Sequence, residues 1–186
     1  DRLIKDYRPY LAKLSELSYD REHKVSLIED EDMSHRMFNF DGISDKFSEK
    51  TRGEKNMSCD GYYEKTSQDT YLVEFIDKKW LKNKIYDSIA TVVMNENVTR
   101  TDVAGRVTVI IVYNDANHGE KTDSDYSTSE AFNRFSEKLG ELSGRKDVDS
   151  LPKKFDLERY KGILFKDVYT VDRRNFEKYF LKILFE

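Results

Sequence analysis

The sequence predicts an α/β fold, a mixed central sheet flanked by helices, and three features carry that prediction. The segment Val107–Tyr113 is almost continuously apolar, which is typical of a strand covered on both faces. Two β-type runs, residues 59–63 and 71–77, are separated by turn residues and favour a hairpin. Residues 79–94 repeat apolar side chains at helical spacing, so we expect a helix to cross from the second of these strands to the third.

The N-terminal part of the chain is less regular. Residues 2–19 carry Leu and Tyr at spacings of three and four, which predicts a helix, although Pro9 interrupts its first half. The pattern of residues 33–50 does not decide between helix, strand and loop. They are rich in aromatic residues, and Ile43 and Phe47 fall on one helical face.

The C-terminal part again alternates between the two element types. A capped helix is predicted over residues 128–142, after a polar loop. Residues 163–171 predict one last strand or two short ones. Asp172 then caps a C-terminal helix that carries apolar residues at helical spacing.

Composition limits the organisation and the class of the protein. The 186 residues fit one domain, with residues 1–50 as a helical N-terminal extension and residues 55–186 as the αβ core. A net charge of −4 argues against a generic nucleic-acid coat and against an anionic membrane surface. No apolar run approaches the ~20 residues of a membrane span. A single cysteine excludes an internal disulfide framework, so we expect a reduced, cytoplasmic protein.

Two acids carry the most informative pattern. Asp60 stands at the start of the first hairpin strand, and Glu74 lies inside the second, within the apolar run Leu-Val-Glu-Phe-Ile. A carboxylate inside such a run is costly to bury alone, so it is usually paired, metal-bound or open to a cleft. The pair is therefore a candidate metal site, with a structural relic or a coincidence in another α/β fold as the alternatives.

The stretch Ser-Cys-Asp-Gly-Tyr-Tyr, then Tyr-Leu-Val-Glu-Phe, then an amphipathic helix, resembles the PD-(D/E)XK, or restriction-endonuclease-like, superfamily. The resemblance covers residues 55–115 and implies a restriction-endonuclease-like core. In that family an Asp and the Glu of a Glu-x-Lys motif hold Mg²⁺, and the lysine assists the attacking water or steadies phosphate charge. Asp60 and Glu74 match the two acids and would be the Mg²⁺ ligands if the protein is catalytically active.

The lysine of that motif is missing, because the position two residues after Glu74 is Ile76. Side chains alternate along a strand, so Ile76 would share the face of Glu74 and remove the cation from it. Lysines follow just downstream, and members of the family can carry the lysine on the next helix. Lys82 is therefore the expected replacement in a catalytic protein; otherwise these lysines are solvated surface residues.

The other candidates are weaker. The acidic run Glu29, Asp30, Glu31 and Asp32 is either a solvated loop or a surface for a basic partner. The three histidines, His23, His35 and His118, lack metal-ligand spacing and are expected on the surface or in loops. Cys59 lies beside an acid, which raises a thiol pKa, so we expect a buried small residue and not a nucleophile.

Three functions remain open. The first is a non-catalytic restriction-endonuclease-like domain that binds a protein, such as a bacterial immunity or antitoxin protein whose acidic run meets a basic toxin. The second is a Mg²⁺-dependent nuclease of the same superfamily, in which nucleic acid is the substrate. The third is an accessory domain of a longer protein. The first hypothesis expects a protein partner and no cofactor.

Overall fold

The computed structural model describes residues 7–21, 24–51, 53–54, 56–75, 80–113 and 155–186. The strands are β1 (Leu11–Lys13), β2 (Tyr19–Asp20), β3 (Val25–Ser26), β4 (Arg36–Asn39), β5 (Gly61–Thr66), β6 (Asp69–Phe75), β7 (Val107–Tyr113) and β8 (Asp167–Asp172). The helices are α1 (Leu14–Leu17), α2 (Phe40–Thr51), α3 (Leu81–Glu96), α4 (Arg100–Arg106) and α5 (residues 173–185, with a π-helical middle at Phe176–Phe180). Short 3₁₀ turns lie at Arg8–Tyr10 and Glu158–Tyr160.

Six strands form one mixed sheet in the order β1-β4-β5-β6-β7-β8. The pairs from β1 to β6 are antiparallel, and β5 and β6 form the predicted hairpin. β7 is parallel to both of its neighbours, so the chain crosses over between β6 and β7 through α3 and α4. The α/β class and the mixed sheet are therefore confirmed.

Helices cover both faces of the sheet, as predicted. All seven residues of β7 are buried, and their side chains alternate between two apolar cores. One core contains Val109 and Ile111 and packs against α2, α3 and α4. The other contains Ile110 and Val112 and packs against α5. The apolar run of β7 thus reflects burial on both sides.

The predicted helix over residues 2–19 is wrong for the part that the structure describes. Pro9 lies in the 3₁₀ turn, and the next three residues pair with β4 as strand β1, so only α1 is helical. Leu11 faces Phe38 across this pair. The first fifty residues are consequently not a helical extension: they supply β1 and β4 to the central sheet.

The open segment 33–50 divides into a strand and a helix, β4 and then α2. Gly42 lies in the first turn of α2, where the ring of Tyr10 covers the backbone. A Cβ at this position would lie 2.3 Å from the Tyr10 Cδ1 atom, so glycine is required by close packing. Gly42 is thus a contact point between the N-terminal turn and α2.

The remaining predictions have mixed outcomes. Helix α3 confirms the crossover helix, and the Asp172 carboxylate caps α5 by accepting a hydrogen bond from the Asn175 backbone N–H at 2.8 Å. Residues 163–165 do not form a strand; the last strand is β8 alone. The helix predicted over residues 128–142 lies outside the described residues. Among those described, no helix has the length and apolar character needed to cross a bilayer.

Candidate functional site

The register of the β5–β6 hairpin places the two predicted acids side by side. Gly61 pairs with Val73 in this antiparallel hairpin. Asp60 comes directly before Gly61 and Glu74 directly after Val73, so the two acids lie at adjacent positions across the strands. Asp60 is then held by the neighbouring strand, because its Oδ2 atom accepts a hydrogen bond from the Phe75 backbone N–H at 2.7 Å. The Glu74 side chain is fully buried, whereas that of Asp60 is 19% exposed.

Lys84, on the second turn of α3, joins these acids. Its Nζ atom donates a hydrogen bond to Glu74 Oε1 at 2.6 Å and lies 4.0 Å from Asp60 Oδ1. The side chain of Lys84 is 26% exposed. Asp60, Glu74 and Lys84 form what we call the acid–lysine cluster, which reaches solvent through its aspartate and its lysine.

The lysine that contacts the acids is thus Lys84 and not Lys82, the residue expected from the sequence. Lys82 points to the other flank of α3, where its charge lowers the pKa of Tyr160, although the hydrogen bond that Tyr86 gives to Tyr160 is the main cause. Ile76 lies outside the described residues.

The segment before Asp60 is fixed to α3 and α2 by three hydrogen bonds. The Met57 backbone N–H donates to Asp87 Oδ2 at 3.2 Å, and the Cys59 backbone N–H donates to Ser88 Oγ at 2.8 Å. The Ser58 hydroxyl donates to Asp41 Oδ1, in the first turn of α2. The helices α3 and α2 therefore hold the segment that precedes Asp60, while β6 holds the Asp60 side chain itself.

Burial opposes the ionisation of the two acids in the cluster. It raises the pKa of Asp60 to about 7, against the opposing effect of Lys84, and it raises the pKa of Glu74 well above its ordinary range, with Asp60 adding to the rise. Burial also lowers the pKa of Lys84, but the two carboxylates outweigh it and the pKa is raised. Two carboxylates with one ammonium carry a charge of −1 when all three are ionised, and Asp41 adds its own negative potential. A bound cation would offset this excess.

Two oxygens of the cluster are candidate ligands for a magnesium ion. Glu74 Oε2 is buried and has no hydrogen-bond partner in the described part of the chain. Asp60 Oδ1 lies 4.0 Å from Lys84 Nζ, beyond hydrogen-bond distance. Within the same ranges no three His, Cys, Asp or Glu side chains are grouped to hold a metal ion. Mg²⁺ prefers oxygen ligands and is commonly held by one or two carboxylates together with water and substrate phosphates.

The acidic run Glu29–Asp32 is tied into the fold. Each of its four carboxylates has a partner within the protein, although Glu29 and Glu31 remain largely exposed. The partners, in chain order, are Arg173 for Glu29, His35 for Asp30, Lys13 and Ser15 for Glu31, and Ser34 for Asp32. The run therefore links the N-terminal segment to α5, and whether it also binds a partner stays a prediction.

The remaining candidates have structural surroundings. Cys59 is buried, and burial, with Glu74 next, raises the pKa of its thiol well above the ordinary value, as expected for a buried small residue. His35 bonds to Asp30 at 2.7 Å and stacks on Phe185 with ring centroids 4.8 Å apart. The other two histidines lie outside the described residues.

Comparison with known proteins gives no relative. The chain matches no protein-family model, no curated protein and no solved structure. The function must therefore be argued from the acid–lysine cluster.

Proposed function

We propose that the protein is a Mg²⁺-dependent phosphodiester hydrolase that acts on nucleic acid, built on the PD-(D/E)XK pattern. The observation that carries the proposal is the convergence of Asp60, Glu74 and Lys84, two carboxylates from adjacent strands and a lysine within hydrogen-bond distance of one of them. These are the chemical groups that the family resemblance implies for cleavage of a phosphodiester bond.

The presence of Lys84 removes the main reason to regard the site as non-catalytic. That reason was the hydrocarbon side chain of Ile76 at the lysine position of the motif. An ammonium group supplied by α3 lies beside Glu74, and the Glu74 carboxylate holds it in place. The lost strand lysine therefore has a replacement on the following helix.

Each member of the cluster has a role that follows from its contacts. Asp60 and Glu74 would hold Mg²⁺, which supplies charge neutralisation and a more acidic bound water when it is present. The Phe75 backbone N–H fixes one oxygen of Asp60, so the other oxygen is oriented for binding. Lys84 is partly exposed and offers positive charge to a phosphate that approaches the two acids.

The non-catalytic, partner-binding domain is the second candidate function. Lys84 neutralises one carboxylate of the cluster, which is compatible with a purely structural ion pair. Glu29 and Glu31 present exposed carboxylates that a basic toxin, the expected partner of an immunity or antitoxin protein, would meet.

A cleavage assay separates the two functions. Wild-type protein is incubated with plasmid and with single-stranded DNA in Mg²⁺, Mn²⁺ or EDTA, and the products are resolved on a gel. We expect cleavage in either metal and none in EDTA. Glu74→Gln, which removes a ligand charge at constant size, and Lys84→Ala should each reduce the rate by about 100-fold or more.

Lys82→Ala is the matched control, because it removes the same charge from the same helix on the flank that faces Tyr160. It should cleave like the wild type, and circular dichroism should confirm that all three variants are folded. If metal-dependent cleavage is missing, or persists in Glu74→Gln, the hydrolase proposal is rejected and the partner-binding function is favoured.

A further inference from the structure

Trp80, the only tryptophan of the chain, lies at the start of the helix that carries Lys84. It is the N-cap residue of α3, one helical turn before Lys84, and its side chain is 48% exposed. Residues four apart on a helix lie on one side of it, about 6 Å apart along the axis. Trp80 and Lys84 therefore lie on one side of α3, at the end of the helix that follows β6.

A second exposed apolar side chain borders the same flank of α3. Met57 is 38% exposed, and its backbone N–H is bonded to Asp87, which lies one turn after Lys84 on this side of the helix. Asp60 follows Met57 by three residues. The cluster is therefore bordered by Trp80 at the start of the helix and by Met57 at the segment that leads into β5.

An aromatic face next to a phosphate-binding lysine matches the chemistry of a nucleotide. The stacking surface of a base is flat and apolar, while its phosphate is charged and lies within one nucleotide of the base. Indole rings stack on bases without strong sequence preference, and this requires a base that is not covered by its neighbours in a duplex. Paired bases inside a double helix do not present such a face.

We infer that Trp80 and Met57 receive an unpaired base next to the cluster, so that the substrate is single-stranded nucleic acid. The inference rests on the proposed function, because it takes the cluster as the place where the phosphate binds. It goes further by naming the form of the substrate and the residues that select it.

The fluorescence of Trp80 gives a direct test, since no other tryptophan contributes to the signal. Wild-type protein in Ca²⁺ is titrated with a labelled single strand of about 12 nucleotides and with the corresponding duplex. Anisotropy of the label measures binding independently. We expect the single strand to bind more tightly than the duplex and to change the Trp80 emission with the same midpoint as the anisotropy.

Variants extend the test. Trp80→Ala should weaken single-strand binding by roughly fivefold to a hundredfold, whereas Trp80→Phe, which keeps a ring, should retain most of it. Met94→Ala is the matched control, because Met94 is 64% exposed in the last turns of the same helix, away from Lys84. It should bind like the wild type.

The outcomes separate this inference from the proposed function. Unchanged Trp80 emission at saturation, equal affinity for single strand and duplex, or wild-type affinity in Trp80→Ala would each overturn the inference, even if the cleavage assay shows activity. Single-strand binding with the expected emission change but no cleavage in any metal would support the base site and reject the hydrolase. Absence of any binding would reject the base site outright.

Discussion

Ser88 shows how a single hydroxyl group organises the cluster. Its side chain is fully buried in α3, and its Oγ atom accepts a hydrogen bond from the Cys59 backbone N–H at 2.8 Å. Cys59 immediately precedes Asp60, so this contact sets the distance between α3 and the start of β5. Lys84, one turn earlier on the same helix, is placed relative to Asp60 by the same contact.

Ser88→Ala should lower the free energy of unfolding by about 1–3 kcal/mol, because the Cys59 N–H would remain buried without an acceptor. Ser44→Ala is the matched control. Ser44 is also a buried helical serine, but its hydroxyl has no partner among the described residues, so its loss should be neutral or slightly stabilising. Urea unfolding measures both values, and equal losses in the two variants would contradict this account.

Helix α2 and the N-terminal 3₁₀ turn meet through a glycine. The Tyr10 ring lies over Gly42, and the Asn39 side chain caps the same turn by accepting a hydrogen bond from the Gly42 N–H at 3.2 Å. The helix therefore approaches the 3₁₀ turn closely where it has no side chain.

Gly42→Ala should lower the melting temperature, with a loss of about 1–3 kcal/mol, because the ring or the turn must move to admit a methyl group. Gly105→Ala offers the opposite case. Gly105 lies in helix α4 with no atom within 4 Å of an added Cβ, so alanine should leave the stability unchanged or raise it by up to about 1 kcal/mol. Thermal unfolding of the two variants tests these two predictions. A lower melting temperature in Gly105→Ala would contradict the second.

The regular elements could be predicted from the sequence where periodicity was strong. The hairpin, α3, β7 and the cap of α5 follow from apolar spacing and capping residues. Strand β1 could not be predicted, because three residues hold no strand periodicity and their structure depends on pairing with β4. The same holds for β4, which has four residues.

Asp60 and Glu74 could be identified from the sequence, but Lys84 could not. Both Lys82 and Lys84 border the apolar stripe of α3, one on each flank. Only the strand order decides which flank faces the acids: β5 lies on one side of β6 and β7 on the other. The flank with Lys84 and Ser88 faces β5, so the lysine is chosen by the sheet topology and not by the local sequence.

The ionisable groups of the whole molecule predict how its stability depends on pH. Folding raises the pKa of Asp60 from 3.8 to about 7, so the folded protein holds more protons than the unfolded chain between these values. This contribution is present in full at low pH and is lost as the pH rises toward 7. Glu31, Asp32, Asp69 and Asp102 have lowered pKa values, so their smaller contributions are lost in acid.

We therefore expect the melting temperature in EDTA to be highest near pH 5 and to fall toward pH 8. At pH 8, Mg²⁺ at about ten times its dissociation constant should raise it by about 3–6 °C, because the ion binds the ionised acids of the folded state. Glu74→Gln should show a shallower decline and little response to Mg²⁺. A melting temperature that rises from pH 5 to pH 8 in EDTA would contradict the buried acid pair.

The placement of Lys84 on a helix, and not on the strand that carries Glu74, has a consequence for how the protein tolerates change. The distance between two side chains on one strand is set by covalent geometry. The distance between Lys84 and Glu74 depends instead on how α3 packs on the sheet through Ile85 and Ile89. Exchanging one aliphatic side chain for another beneath the helix would shift the ammonium group by fractions of an ångström. The rate of the proposed hydrolase would then vary among sequences whose ionisable residues are identical.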